Sequence, residues 1–314
     1  MNVVLVTLAA LGGFGAFTLE ESPATVTVLE DGAPVMVYQA LPGELPRLVS
    51  QRYRRGCYIH PLYGLDGEVM TEDFPWDHRH HRGLFWAWPD STVAGRKMDV
   101  WTLDDSRQVF VRWVEKSADA EKARLVAESH WVFDDAPDKP LVKETAEMVV
   151  HAKSGDTRAM DLVLTFENIG AETITIRGAT TDNKGYGGLC YRPDSARKPM
   201  HFLAAKGPET EDVLELASPW ADVSFAVAPD AEKQSGLAIF QHPSLPGYPH
   251  PGWIFRHYGF LGQSWPHTTP YDLAPGAAIT LKYRVLLHRG TAEEAGVPAL
   301  FDAYLKEQQA GGGK

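Results

Sequence analysis

Met160-Asp161-Leu162-Val163-Leu164-Thr165-Phe166 decides the fold class. Side chains alternate across an extended chain, so Leu162, Leu164 and Phe166 share one face and Asp161, Val163 and Thr165 the other. One apolar face beside one mixed face is the pattern of a sheet buried on a single side, which antiparallel pairing allows.

Similar runs recur on both sides of it. Ala24–Leu29, Val35–Tyr38, Val109–Val114, Arg124–Ala127, Thr173–Ile176, Val223–Val227 and Ile279–Leu287 all read as strands. Glu30-Asp31-Gly32, Asn168-Ile169-Gly170 and Ala274-Pro275-Gly276 punctuate them. Many short strands with Gly and Pro between them predict an all-β protein, a large antiparallel β-sandwich with few short helices. The best helix candidate is Thr291–Gln309, which opens on the capping box Thr291-Ala292-Glu293-Glu294. With no repeat or linker visible, residues 17–309 are expected to form one sandwich domain, followed by a frayed tail over 310–314.

The 314-residue chain carries a net charge of −11, which argues against a nucleic-acid partner, since such a partner needs a basic face. No glycine-rich phosphate loop, Cys-x-x-Cys or nucleophile elbow occurs, so no cofactor is expected. Cys57 and Cys190 are read as buried thiols. Asn2–Phe17 is almost wholly apolar, too short to span a bilayer and similar to the apolar part of a secretory signal. Residues 1–16 are therefore expected to be a signal peptide absent from the mature protein, which would be secreted or periplasmic. No other stretch predicts a membrane span, and the oligomeric state is left open.

Chemistry concentrates in Asp77-His78-Arg79-His80-His81-Arg82-Gly83, between His60-Pro61-Leu62-Tyr63 and Leu84-Phe85-Trp86-Ala87-Trp88. Imidazoles serve proton transfer near neutrality. On an extended backbone His78 and His80 would point to one side and His81 to the other. A second group is Tyr186-Gly187-Gly188-Leu189-Cys190-Tyr191-Arg192, a third is Gln241-His242-Pro243 through Trp253, and a fourth places Glu144 on the apolar face of Val142–Val150. A carboxylate there needs a partner: either a cross-strand Arg or a functional site.

With Pro275-Gly276, Tyr283-Arg284-Val285 and His288-Arg289-Gly290, these segments resemble the PmoA-like family of bacterial proteins, from about Phe17 to the C-terminus. The resemblance implies a sandwich similar to the galactose mutarotases, which bind sugars on a concave sheet face. The family's methane-oxygenase label does not transfer to a chain without the long apolar helices of a membrane monooxygenase. One departure is that Leu281, Tyr283 and Val285 occupy one face of the C-terminal strand, where a mutarotase keeps its catalytic carboxylate.

The expectation is a secreted protein that binds and processes a small-molecule carbohydrate. His78, His80, Glu144 and His242 are the catalytic candidates, with Asp77 or Glu144 orienting the imidazoles. Arg82 and Arg192 would fork onto sugar oxygens. Trp86, Trp88 or Trp253 would stack on the ring. His60, Asp77, His81 and Tyr186 complete the binding set. Two alternatives stand beside it: a cupin-like metal site using His78 and His80 with His242 or Glu144, and a non-catalytic carbohydrate-binding module.

Overall fold

The computed structural model describes residues 16–229 and 231–311. The expected signal peptide falls, apart from Ala16, outside the described residues. Among the described residues, three antiparallel sheets build the fold. The first has eight strands in the order Phe17–Glu21, Thr25–Glu30, Ala33–Gln39, Tyr58–Leu62, Leu84–Ala87, Gly188–Tyr191, Phe260–Gln263 and Trp253–Arg256. The second has nine: Gly207–Glu209, His201–Ala204, Trp220–Ala226, Gln234–Gln241, Ala278–Arg289, Thr157–Asn168, Val142–His151, Lys122–Phe133 and Ser106–Ala118. A small four-stranded sheet, Tyr271–Leu273, Ile174–Ile176, Ser91–Val93 and Arg96–Met98, stands beside them.

The deciding stretch behaves as its alternation requires. Leu162, Leu164 and Phe166 are buried, whereas Asp161, Val163 and Thr165 are half-buried. The paired strand Val142–His151 keeps the same rhythm in register, with Ala146 opposite Leu164 and Met148 opposite Leu162. These faces join one apolar core that also takes in Val28, Tyr38, Phe85, Trp86, Trp253 and Phe255 from the eight-stranded sheet, and Trp88 just beyond it. Burying each large apolar side chain contributes about 1.5–3 kcal/mol, so the inter-sheet layer dominates the stability.

The helix begins later than the capping box suggests. Thr291 and Glu294 do make the reciprocal capping bonds, Thr291 N–H to Glu294 Oε2 (2.8 Å) and Glu294 N–H to Thr291 Oγ1 (3.2 Å). They cap only a turn, because Gly296 at φ +69° breaks the run, and the helix proper is Val297–Gly311. It covers the outer face of the nine-stranded sheet, where Trp220, Phe240, Leu286, Phe301 and Tyr304 form a second, smaller core. Cys57 and Cys190 are free and buried.

Candidate functional site

The histidine-rich stretch lies in the connection between two neighbouring strands of the eight-stranded sheet, Tyr58–Leu62 and Leu84–Ala87. Its backbone is a turn rather than a strand. The His81 N–H donates to the His78 carbonyl (2.9 Å), so the expected two-sided alternation is absent and the three imidazoles gather. His78 and His81 stack at 4.7 Å and 8°, His80 meets His81 edge-on at 4.5 Å, and His78 and His80 stand 5.8 Å apart. Tyr258 stacks on His78 as well, at 4.9 Å and 14°. The His78 ring thus belongs to two stacked pairs.

The loop is stitched to the strand Gly188–Tyr191 and the residues after it. The Glu72 N–H donates to the Arg192 carbonyl and the Arg192 N–H to the Gly83 carbonyl. A Cβ on Gly83 would meet the Ile59 carbonyl oxygen at 2.4 Å, which is why this junction takes glycine. Arg192, buried, donates from Nη2 to Asp77 Oδ1 (2.9 Å) and from Nε to Glu72 Oε2 (3.3 Å). Asp77 Oδ2 in turn stands 3.0 Å from His78 Nδ1. Arg192, Asp77 and His78 thus stand in a row, the Asp77–His78 step being ion-pair proximity without a hydrogen bond of regular geometry at Nδ1, and Nε2 is the imidazole's other nitrogen. Partial burial raises the Asp77 carboxyl, but Arg192 and His78 outweigh it and hold Asp77 below its ordinary value. It is therefore ionised at neutral pH.

The other two imidazoles are held neutral. Burial, reinforced by His78 and by Arg55, Arg82 and Arg52, lowers His80 to about 3. Burial, reinforced by His80, His78, Arg192 and Arg82, pushes His81 well below its usual value. A neutral imidazole still donates an N–H to a ligand oxygen. His81 packs against Phe85, Trp101 and Phe260, and Trp101 and Phe260 both meet Tyr186. The two stretches around His60–Arg82 and Tyr186–Arg192 therefore share one cluster, as their polar density suggested.

The third and fourth stretches do not join it. His242 bonds Ser244 Oγ and Gln308 Oε1 and faces Tyr304, at the outer helix. Glu144 is fully buried between the large sheets. Trp86 Nε1 (2.6 Å), Trp131 Nε1 (2.7 Å) and Gln108 Nε2 (2.8 Å) all donate to its carboxylate. Its oxygens are committed to the core, so neither it nor His242 is placed to act with His78. The cupin-like metal set is not assembled for the same reason, and among the described residues no group of three or more His, Cys, Asp or Glu is arranged to hold a metal ion.

The tryptophans correct the stacking assignment. Trp86, Trp88 and Trp253 have no exposed surface: Trp86 binds Glu144, Trp88 donates to the Trp265 carbonyl and Trp253 to the Ser218 carbonyl. They lie in, or directly after, strands buried on both faces, which puts them in the core. Trp76, beside Asp77, is 81% exposed instead. The arginines are corrected too. Arg82 is buried, lies over the Phe74 ring, donates to the carbonyls of Arg79, His81 and Tyr53, and faces Asp73 at 3.4 Å, so it knots the loop. Arg192 is committed to Asp77 and Glu72. His60 bonds Thr71 Oγ1 (2.9 Å), and the Tyr186 hydroxyl accepts from Arg256.

Sequence reasoning missed Trp76, Trp101, Tyr258 and Arg55. Trp76 stood next to the motif and could have been found by asking which Trp follows a proline in a stretch with no strand pattern. Tyr258 lies far along the chain and had no local signal.

The chain belongs to a family of unknown function, DUF6807, whose model matches residues 25–302. No methane-oxygenase description accompanies that match. Comparison with curated proteins finds no match. Among solved structures, it is similar to heparan sulfate lyase HepC from Pedobacter heparinus, at 11% identity and TM-score 0.40 over 90% of this chain and 36% of the lyase, so it spans about a third of that protein. It is also similar to galactose 1-epimerase from Lactobacillus acidophilus, at 12% identity and TM-score 0.43 over 88% of this chain and 98% of the epimerase. A third similarity is to the galactosidase domain of an alpha-galactosidase–sucrose kinase, at 13% identity and TM-score 0.38, covering 88% and 41%.

Proposed function

We propose that this member of DUF6807 binds a sugar at the loop cluster and moves a proton on it, and that it does so outside the cytoplasm. The observation that carries the reading is Trp76, an indole 81% exposed on the loop that carries Asp77, His78 and His80. A large exposed aromatic side chain gives up water cheaply only to an apolar surface, and a pyranose face is one, rimmed by hydroxyls that seek nearby polar groups. His78, His80 and Asp77 supply them.

In this reading the Asp77 carboxylate, tied to Arg192 and 3.0 Å from His78 Nδ1, favours a proton on that nitrogen and leaves Nε2 to take a proton from a sugar hydroxyl. The stacking of His78 on His81 and Tyr258 holds the ring in place, and preorganisation of this kind is what a general base needs. Neutral His80 donates its N–H to the oxygen that develops charge. Epimerisation at the anomeric carbon begins with such a step; in lyase cleavage the same nitrogen would take a carbon-bound proton, and in hydrolysis a proton of the attacking water. The extracellular or periplasmic placement rests on the apolar Asn2–Phe17 run, and an intact mass from the native host that retains Met1 would overturn it.

The experiment is saturation-transfer NMR against a monosaccharide panel, with exchange spectroscopy of anomeric and carbon-bound protons. Binding that is lost in Trp76→Ala at an unchanged melting temperature supports the site. Exchange that is lost in His78→Ala while binding persists supports the proton transfer. Binding without exchange in the wild type makes the protein a carbohydrate-binding module. Binding that survives Trp76→Ala removes the site from this loop.

A further inference from the structure

We infer that Tyr258 is a catalytic residue of this site: its phenol O–H, beside the His80 N–H, donates to the sugar oxygen that gains negative charge when His78 takes the proton. The inference rests on the proton-transfer reading above and adds to it a residue that the histidine motif does not contain.

Tyr258 sits at the tip of the hairpin that joins Trp253–Arg256 to Phe260–Gln263. That tip is tied down. Arg256 donates to the Tyr186 hydroxyl and to Asp212, and the His257 N–H donates to Asp212 Oδ1 (2.9 Å). The Gly259 N–H closes the turn on the Arg256 carbonyl (2.8 Å), at a φ of +115° that suits glycine. The Tyr258 ring lies on His78 at 4.9 Å and 14°, and the Arg192 guanidinium stands 5.0 Å from the ring centre. A ring held in this way presents its hydroxyl in one place.

That hydroxyl is uncommitted and open. Tyr58 spends its O–H on Asp73, Tyr191 spends its own on the Met70 carbonyl, and the Tyr186 oxygen accepts from Arg256. The half-buried Tyr258 has no hydrogen-bond partner for its oxygen among the described residues, and that oxygen keeps contact with solvent. The same holds for His78 Nε2 and both His80 nitrogens, whereas His78 Nδ1 and His81 Nδ1 are sealed. The rings of Tyr258 and His80 stand 4.9 and 5.8 Å from that of His78, so one base has two donors around it. Trp76 and Asp77, both exposed, directly precede that base. Burial, with Tyr186 and Asp77, raises the phenol above its ordinary value, and Arg192 and Arg256 offset only part of this. Tyr258 is therefore neutral at pH 7 and donates without giving up its proton.

In anomeric exchange the O1 proton goes to His78 Nε2, O1 forms its second bond to C1, and the C1–O5 electron pair goes to O5. Tyr258 and His80 hold that oxyanion until the ring closes on the other face of C1 and Nε2 returns the proton to O1. Neither donor changes its protonation state. Donors fixed before charge develops are worth most in such a step.

The test follows anomeric exchange of glucose, galactose, mannose and xylose by NMR with the full chain. Tyr258→Phe keeps the ring on His78 and removes one oxygen. It should lower the protein-dependent exchange rate about 100-fold, with affinity and melting temperature nearly unchanged. Exchange at the wild-type rate in Tyr258→Phe, with loss in Tyr258→Leu, makes the ring a support for His78 and overturns the donor role. Equal loss of binding and exchange in Tyr258→Phe also overturns it, because the hydroxyl then serves the bound sugar alone. If Tyr258→Phe melts early, the isotope-labelled Tyr258 Cζ resonance of the wild type decides. It should shift on saturation with the exchanged sugar, and a resonance that stays in place overturns the inference. Exchange that needs His78 but not the Tyr258 hydroxyl overturns this inference alone. Absence of wild-type exchange with all four sugars overturns it together with the proton-transfer reading.

Discussion

Glu144 and Trp76 are each misplaced by the commonest rule for their residue type, and each for a local reason. An acid on an apolar strand face suggests a functional group, yet three N–H donors converge on Glu144 and make it a polar tie between the sheets. Glu144→Gln puts an amide N–H where an acceptor is needed. It is expected to cost about 1–3 kcal/mol in urea unfolding while leaving sugar affinity per folded molecule unchanged. A variant that unfolds normally but no longer binds would return Glu144 to the site. His80→Ala is expected to do the opposite, with binding lost and the melting temperature nearly kept, because this half-buried ring's contacts are with other rings of the cluster. The tandem histidines were legible because a motif of seven residues holds them. Trp76 was not, because exposure depends on the turn that the loop makes.

At the scale of elements, the strands were the most legible part of the chain. Period-two alternation is local information, and Met160–Phe166, Val142–Val150 and Ile279–Leu287 appear where it puts them. The convergence of Arg192 and Tyr258 on a loop more than a hundred residues earlier follows from strand order, which alternation does not encode. The helix was half legible: its capping box forms, but Gly296 decides where the helix starts. Its attachment is both apolar and ionic. Phe301 meets Phe240 at 5.2 Å, and Arg284 bonds Asp161 on one side and Glu307 of the helix on the other. Phe301→Ala is expected to destabilise this small core by about 3 kcal/mol. Hydrogen exchange should show lost protection over residues 297–311 with the strand Leu84–Ala87 unchanged. Uniform loss across both sheets would mean that the helix is integral to the main core.

For the whole molecule, titration of the buried imidazoles sets the pH range of stability. Burial lowers His80 to about 3 and His250 to about 4, and it also lowers His60 and His81. In the unfolded chain these groups take protons near their ordinary value of about 6.5. Between roughly pH 4 and 6.5 the unfolded state therefore binds more protons than the folded state, and stability must rise with pH across that window. Asp161 adds to the acid side. Burial opposes its ionisation, but His151 and Arg284 outweigh that and hold it at about 2, so its contribution is lost only as pH falls from about 4 towards 2. His288 runs the other way. Burial opposes its charge, but Asp222 at 2.7 Å raises it above 6.5, so its contribution is full below 6.5 and is lost as pH climbs through the raised value. With His242, lowered in the same direction by partial burial, five imidazoles on one side against one on the other predict a steep acid limb and a shallow alkaline limb. Urea midpoints measured from pH 4 to 9 should climb to a maximum near neutrality and then decline gently. His288→Gln should flatten the alkaline limb, and His250→Gln should reduce the slope of the acid limb. A midpoint that is flat or falling between pH 4.5 and 6.5 would mean that the imidazoles of the cluster are solvated and charged in the folded protein, and the neutral donor assigned to His80 would fall with that result.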